Sequence, residues 1–102
     1  MNAPQEGDAP AARIELPEIL DLNAASALAV ELLGHRGEAL CVDASRVERM
    51  GGQCLQVLLS AANTWKADAV PLAIVGASSG FTDGLARLGV APAELIDGEL
   101  TQ

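Results

Sequence analysis

Basic residues are scarce in this sequence. Six Lys and Arg residues stand against fourteen Asp and Glu residues, which gives the 102-residue chain a formal net charge of −8 at pH 7. A surface of this charge repels phosphate backbones and anionic lipid headgroups. We therefore expect neither nucleic acid nor a membrane surface as a partner.

Cysteine pairs and long apolar runs are also missing. Cys41 and Cys54 are the only cysteines, and they lack the CxxC spacing of a zinc or redox site. We expect both to be buried thiols in a reducing cytoplasm. The longest apolar run, residues 69–77, is interrupted by Pro71 and Gly76 and is far shorter than the roughly 20 residues that span a bilayer. No membrane insertion is expected.

The composition indicates one domain. Half of the residues are apolar, which is enough for a single core in a chain of this length. Residues 1–12 lack the basic and apolar regions of a signal peptide, and we expect them to be a disordered lead. Residues 13–99 are predicted to form the domain, and residues 100–102 a short tail.

The apolar pattern predicts strands that alternate with helices. Strands are expected at residues 13–16, 39–42, 71–75 and 93–96, and residues 19–20 begin either a second short strand or a connection. Helices are expected at residues 24–33, 52–66 and 80–88, the first capped by Asn23 and the third by Ser78. This alternation favours an α/β fold with a largely parallel sheet. The run at 39–42 is apolar throughout, which is typical of a central strand covered on both faces.

The two longer helices each carry an apolar stripe. The predicted core residues of the first are Ala25, Leu28, Val30, Leu32 and Leu33. Those of the second are Leu55, Leu58, Leu59, Ala62 and Trp65. The outer face of the second helix is then uncharged and carries Gln53, Gln56, Ser60 and Asn63. Such a face suits protein docking, because little charge has to be desolvated; a merely solvated polar face is the alternative.

Residues 76–80 match the G-x-S-x-G pattern of a hydrolase nucleophile. That chemistry needs a histidine to accept the serine proton, and the only histidine, His35, precedes the serine, the reverse of the hydrolase order. We therefore predict that Ser78 caps a helix and that the protein is not an enzyme. Binding of a phosphate by the free N–H groups of this helix start is the alternative.

Two further features carry a family resemblance. A turn with Asp43 and Ser45 follows the central strand, and residues 55–59 read Leu-x-Val-Leu-Leu. With the order of elements, they resemble the STAS family, small domains found in anti-sigma factor antagonists and at the cytoplasmic ends of sulphate transporters. The resemblance implies a four- or five-stranded, mostly parallel sheet with about three to four helices. It also implies action by protein contact rather than catalysis, with no cofactor or metal.

The start of the second helix departs from the family pattern. In the family this helix opens with Asp-Ser-Ser-Gly-Leu or Asp-Thr-Ala-Gly-Leu, and the first hydroxyl residue accepts a phosphate. The corresponding residues here are Gly51, Gly52, Gln53, Cys54 and Leu55. Gly52 thus stands at the acceptor position without a hydroxyl. The nearest other hydroxyl in the motif, Ser45, remains an alternative phosphorylation site.

The string from residue 51 to 60, followed by Ala-x-x-Trp, is similar to short STAS proteins encoded among alphaproteobacterial chemotaxis genes. That similarity implies a cytoplasmic bacterial adaptor that contacts a histidine kinase or a response regulator. The alternatives are the STAS subunit of a lipid-asymmetry ABC transporter, which binds the ATPase, and a degenerate anti-sigma factor antagonist. The predicted partner-binding residues are Arg49, Gly51, Gly52, Gln53, Gln56 and Ser60.

Overall fold

A computed structural model describes residues 12–91 and Leu95. Its elements are, in chain order, β1 (Ala12–Glu15), β2 (Ile19–Leu20), α1 (Leu22–Leu33), β3 (Leu40–Asp43), β4 (Arg49–Met50), α2 (Gly52–Ala67), β5 (Leu72–Val75) and α3 (Ser79–Arg87). None of the three described helices is long and apolar enough to cross a membrane.

The described strands form two parallel sheets. Strands β1, β3 and β5 lie side by side in that order, with Ile14, Val42 and Ile74 in register. Strands β2 and β4 form a separate short pair. Helix α1 carries the chain from β1 towards β3, and α2 carries it from β3 to β5, as parallel pairing requires. The predicted α/β class with mostly parallel pairing is confirmed.

The core lies on one face of the three-stranded sheet. Alternate strand residues are buried there together with apolar residues of all three helices, among them Ile14, Leu40, Val42, Ile74, Leu28, Leu58 and Phe81. The opposite face carries Arg13 and Glu15, which are exposed, and Asp43, which is half-buried. The predicted strand at residues 71–75 is present as β5, which begins at Leu72. Only Ile74 of this strand is fully buried, because β5 lies at the edge of the described sheet and its alternate residues face the open side.

Helix α1 begins two residues earlier than the sequence predicts. Its N-cap is Asp21, not Asn23: the Asp21 backbone is extended, and Asp21 Oδ1 accepts a hydrogen bond from the Ala24 N–H at 3.1 Å. Both side chains are good caps. Asp21 is the cap because strand β2 ends at the buried Leu20, so that Asp21 is the residue at which the chain turns into the helix.

The predicted core stripe of α1 is only partly right. Ala25, Leu28 and Leu32 are buried, but Val30 is 71% exposed and Leu33 is 64% exposed. A helix buries only the side that meets its neighbours. With the inward side occupied by residues spaced three and four apart, the remaining two apolar side chains point away from the core.

Helix α2 packs along its whole length. Its buried residues are Cys54, Leu55, Leu58, Ala61 and Trp65. The sequence stripe placed Leu59 and Ala62 inward as well, and both are instead half-buried at the edge of the core. Trp65, a predicted core residue, lies at the far end of the core, where its indole Nε1 donates to the Glu38 carbonyl at 2.7 Å.

The N-terminus of α3 sits against the loop between β3 and β4. Ser78 is the predicted cap: its Oγ accepts from the Phe81 N–H at 3.1 Å and donates to the Val47 carbonyl. Gly89 ends the helix region with a φ of +80°. The predicted strand at 93–96 lies outside the described residues except for Leu95, which is buried in the core.

Gly80 allows this close approach, and Gly52 provides a matched control. A Cβ at Gly80 lies 2.5 Å from the Glu48 carbonyl oxygen and 2.6 Å from that of Val47, whereas one at Gly52 meets nothing within 4 Å. We expect Gly80→Ala to cost about 1–3 kcal/mol of stability, because the loop must shift. Gly52→Ala should gain a few tenths to about 1 kcal/mol by reducing the entropy of the unfolded chain. Urea unfolding of both variants measures the difference, and equal stabilities would contradict this packing.

Candidate functional site

The start of α2 is fixed by the short β2–β4 pair. Leu20 lies in register with Met50, and the Gly51 N–H donates to the Leu20 carbonyl at 2.8 Å. Gly51 is the N-cap, with an extended backbone (φ −97°, ψ 172°) and no side-chain cap. A Cβ there makes only an ordinary 3.6 Å contact, and one on Gly52 meets open space. Neither glycine is required by backbone conformation or by space, so the helix start is simply bare.

A hollow of about 410 Å³ surrounds this helix start. Arg49, Gly51, Gly52 and Gln53, four of the predicted partner-binding residues, line it. Its lining also includes two residues that the prediction missed, Leu22 of α1 and Arg87 of α3, and one carboxylate, that of Asp21, which caps α1. We call this feature the helix-start hollow.

A second concavity, of about 340 Å³, runs between α1 and α2. The α2 wall carries Gln53, Gln56, Val57, Ser60 and Thr64, and the α1 wall carries Ala29 and Leu33. We call it the interhelical groove. Gln53 borders both concavities, so all six predicted partner-binding residues lie on one continuous surface. Asn63, predicted on the same face, lies elsewhere: it borders a different hollow, with Leu72 and Leu95.

The sequence contained a signal for the missed α1 wall. Leu22, Ala29 and Leu33 are seven and eleven residues apart, so they lie along one side of the helix. Two interpretations hid this line. The apolar stripe predicts Leu33 in the core, and the prediction of Asn23 as the cap puts Leu22 before the helix.

Two arginines that line the hollow form no ion pair with a carboxylate that the structure describes. Arg13 pairs with Asp43, Arg36 pairs with Asp68, and Arg46 lies within 4.0 Å of Glu15 and Glu18. Among the basic residues that the structure describes, those without an ion pair are Arg49, Lys66 and Arg87. Arg49 and Arg87 both line the helix-start hollow.

The turn that the sequence predicts after β3 is an Asx turn. Asp43 Oδ1 accepts from the Ser45 N–H at 2.8 Å. Hydrogen bonding by Ser45, helped by the Arg13 guanidinium, holds the pKa of the Asp43 carboxyl below its ordinary value. Ser45 lies beside Gly76 at the end of β5 and is not among the residues that line the helix-start hollow.

The polar groups of the motif region are engaged in structural bonds. Cys54 is fully buried, its Sγ donates to the Asp21 carbonyl at 3.3 Å, and burial raises the pKa of the thiol, which disfavours a nucleophilic thiolate. Ser78 Oγ is held by its cap bonds, and His35 lies near Glu38 instead. Within residues 12–91 and Leu95, no group of three His, Cys, Asp or Glu residues could hold a metal ion.

A capping substitution tests whether the helix start is bare. In Gly51→Asp, the carboxylate accepts from the free N–H groups of the first turn and meets the positive end of the helix dipole, which should raise stability by a few tenths to about 1 kcal/mol. Gly51→Ala, which cannot cap, is the control and should be less stable than Gly51→Asp. Thermal unfolding of both variants checks this. A Gly51→Asp protein that melts below the original protein would show that its N–H groups already have partners.

Comparison with known proteins agrees with this geometry. A family model described as "Mlab, STAS domain" matches residues 5–97, nearly the whole chain. A search of curated proteins with this chain found no match. The match includes the turn after β3, the bare start of α2 and the packed length of that helix. The chain therefore belongs to the STAS domain family.

Proposed function

We propose that residues 13–99 form a non-catalytic interaction domain that binds a bacterial signalling protein through the start and outer face of α2. STAS domains are typically regulatory or interaction domains, which supports this class of function. The observation that carries the proposal is the continuous surface made by the helix-start hollow and the interhelical groove. A partner that covers this surface has little charge to desolvate along α2, because its exposed residues there are Gln and Ser.

Each predicted residue has a distinct part in this proposal. Gly51 and Gly52 allow the backbone of a partner to approach the helix start closely, since no side chain stands in front of it. Gln53, Gln56 and Ser60 offer hydrogen bonds along the groove, and each is exposed. Arg49, whose guanidinium forms no ion pair with a described carboxylate, offers a charged contact at the rim.

A chemotaxis histidine kinase or its response regulator is the partner that we propose first, in the bacterial cytoplasm. The support is the string at residues 51–60, which is similar to short STAS proteins encoded among chemotaxis genes. The absence of a hydroxyl at Gly52 agrees with an adaptor that is not switched by phosphorylation at this position.

The ATPase subunit of a lipid-asymmetry ABC transporter is a second candidate partner. The description of the matching family model, which names Mlab, favours it. That branch of the family usually keeps Thr at the acceptor position, so Gly52 counts against it. The missing hydroxyl also disfavours a phosphate-switched anti-sigma factor antagonist.

A charge placed in the groove should disrupt binding without unfolding the domain. Gln56→Arg adds a long cation to the exposed face of α2, and exposed substitutions of this kind change stability by no more than about 0.5 kcal/mol. Asn63→Arg makes the same change of charge on the same helix, outside the groove. We expect only Gln56→Arg to weaken binding, while both variants melt near the temperature of the original protein.

Calorimetry against three purified proteins measures this effect. The kinase, the response regulator and the transporter ATPase encoded nearest to this chain in its genome are the test partners. Binding of one of them identifies the partner class. If both Gln56→Arg and Asn63→Arg bind that partner normally, the docking surface lies elsewhere. If none of the three binds the original protein, the proposed partners are wrong.

The domain should not accept a phosphate at the start of α2. We expect intact mass spectrometry after incubation with ATP and the partner kinase to show no gain of about 80 Da, the mass of one phosphoryl group. Gly52→Ser is the control, because its side chain enters open space at the acceptor position. A gain of mass mapped to Ser45 or Ser60 in the original protein would contradict this prediction and move the regulatory site.

A further inference from the structure

Two unpaired arginines mark one end of the surface around α2. The domain carries a strong excess of negative charge, yet Arg49 and Arg87 form no ion pair with any carboxylate that the structure describes. They come from β4 and α3, and the fold brings both into the helix-start hollow. The hollow also contains the Asp21 carboxylate, which caps α1 and pairs with neither arginine, so one positive charge remains in excess there. This excess in an acidic protein favours an acidic group on whatever covers the hollow.

An apolar line connects this hollow to the interhelical groove. Leu22 lies in the hollow, whereas Ala29 and Leu33 line the groove, and all three fall on one side of α1. Leu22 is 69% exposed and Leu33 is 64% exposed, although both are large apolar side chains. On the facing helix, half-buried Val57 continues the apolar floor. We call the hollow and the groove together the furrow.

The walls of the furrow decide what shape of ligand fits. An extended peptide that adds to a sheet pairs with the N–H and C=O groups of a strand edge. The groove presents side chains of two helices, so it does not offer that kind of pairing. A helix laid into a groove needs apolar anchors on one side, and the α1 line supplies their contacts. From Gln53 to Thr64 the groove follows about 16 Å of α2, which matches about three turns of a bound helix, and one further turn extends over the helix-start hollow.

We propose that the furrow binds one amphipathic helix of the partner, about 14 residues long, with its apolar side packed on Leu33 and Val57 and with acidic residues at the end that meets Arg49 and Arg87. This inference rests on the proposed function and names the chemistry of the partner. A second copy of the chain is disfavoured as the occupant, because two molecules of charge −8 repel each other.

A designed peptide tests the chemistry without knowledge of the partner. The probe is a 14-residue amphipathic helix with leucines on one side and two glutamates at one end. Its control carries two lysines in place of the glutamates. We expect NMR shift changes in the original protein confined to residues around the furrow, with the glutamate peptide bound at least about fivefold more tightly. In Arg49→Glu/Arg87→Glu, the preference should reverse.

The apolar contact is tested with two variants of the same helix. Leu33→Asp places a charge in the groove, whereas Val30→Asp places the same charge on an exposed side of α1 that does not line it. Both substitutions lie in the last turns of α1, so their effects on the helix itself are matched. We expect Leu33→Asp to weaken peptide binding at least about tenfold, as loss of a large apolar anchor does, and Val30→Asp to weaken it less than about threefold.

Lys66 supplies the control for charge. It is the remaining described cation without an ion pair, and it borders the hollow that holds Leu72 and Leu95. Lys66→Glu should therefore leave the peptide preference unchanged. No shift changes at millimolar peptide, shifts centred outside the furrow, or equal effects of Lys66→Glu and Arg49→Glu/Arg87→Glu would each overturn the proposal. A dimer in light scattering that Leu33→Asp dissociates would also overturn it, because the occupant is then a second copy.

The same variants separate this inference from the proposed function. If the kinase, the response regulator or the ATPase binds the original protein and also binds Leu33→Asp and Arg49→Glu/Arg87→Glu with unchanged affinity, the interaction domain stands and the furrow proposal fails. If the peptide binds as expected but none of the three proteins does, the furrow stands and the proposed partners fail.

Discussion

Strand β3 pairs with a parallel neighbour on each side, and its three apolar residues are all buried. Parallel pairing on both edges requires a crossover before the strand and another after it, and α1 and α2 supply them. The carboxyl ends of parallel strands meet at one edge of a sheet, so the Asx turn of Asp43 comes to lie beside Gly76. The position of the α2 start follows from this strand, because the chain leaves β3 by that turn and reaches the helix through β4.

The start of α2 is held by backbone contacts alone. The Gly51 N–H bonds to the Leu20 carbonyl, and no side chain of the cap residue covers the first turn. Because neither glycine has a positive φ angle and both have room for a Cβ, the fold itself does not demand glycine at this point. The missing cap at this helix start is therefore a feature of the protein surface and not a requirement of the fold. It is consistent with a role in close protein contact, which is the function that we propose.

The arrangement of charge separates structural arginines from free ones. Arg36 bridges to Asp68 at the far ends of the helices, and the pKa of the Asp68 carboxyl is lowered by that hydrogen bond. Arg13 serves the same purpose on the open face of the sheet, beside Asp43. These exposed pairs contribute little stability. Because Arg13, Arg36 and Arg46 are paired with carboxylates, the arginines without an ion pair in the described part of the chain are the two that line the hollow, Arg49 and Arg87.

Local patterns in the sequence determined the parallel α/β fold, the α2 stripe around Leu55 and Leu58, and the Ser78 cap, because periodicity and capping act over a few residues. They also predicted that Gln53, Gln56 and Ser60 lie on the exposed side of α2, as they do. Which apolar residues of α1 stay exposed was decided only by tertiary packing: Leu33 and Leu32 look alike in sequence, and the contact with α2 buries one of them. Arg87 joins the site for the same reason, since only the folded chain brings α3 to the start of α2.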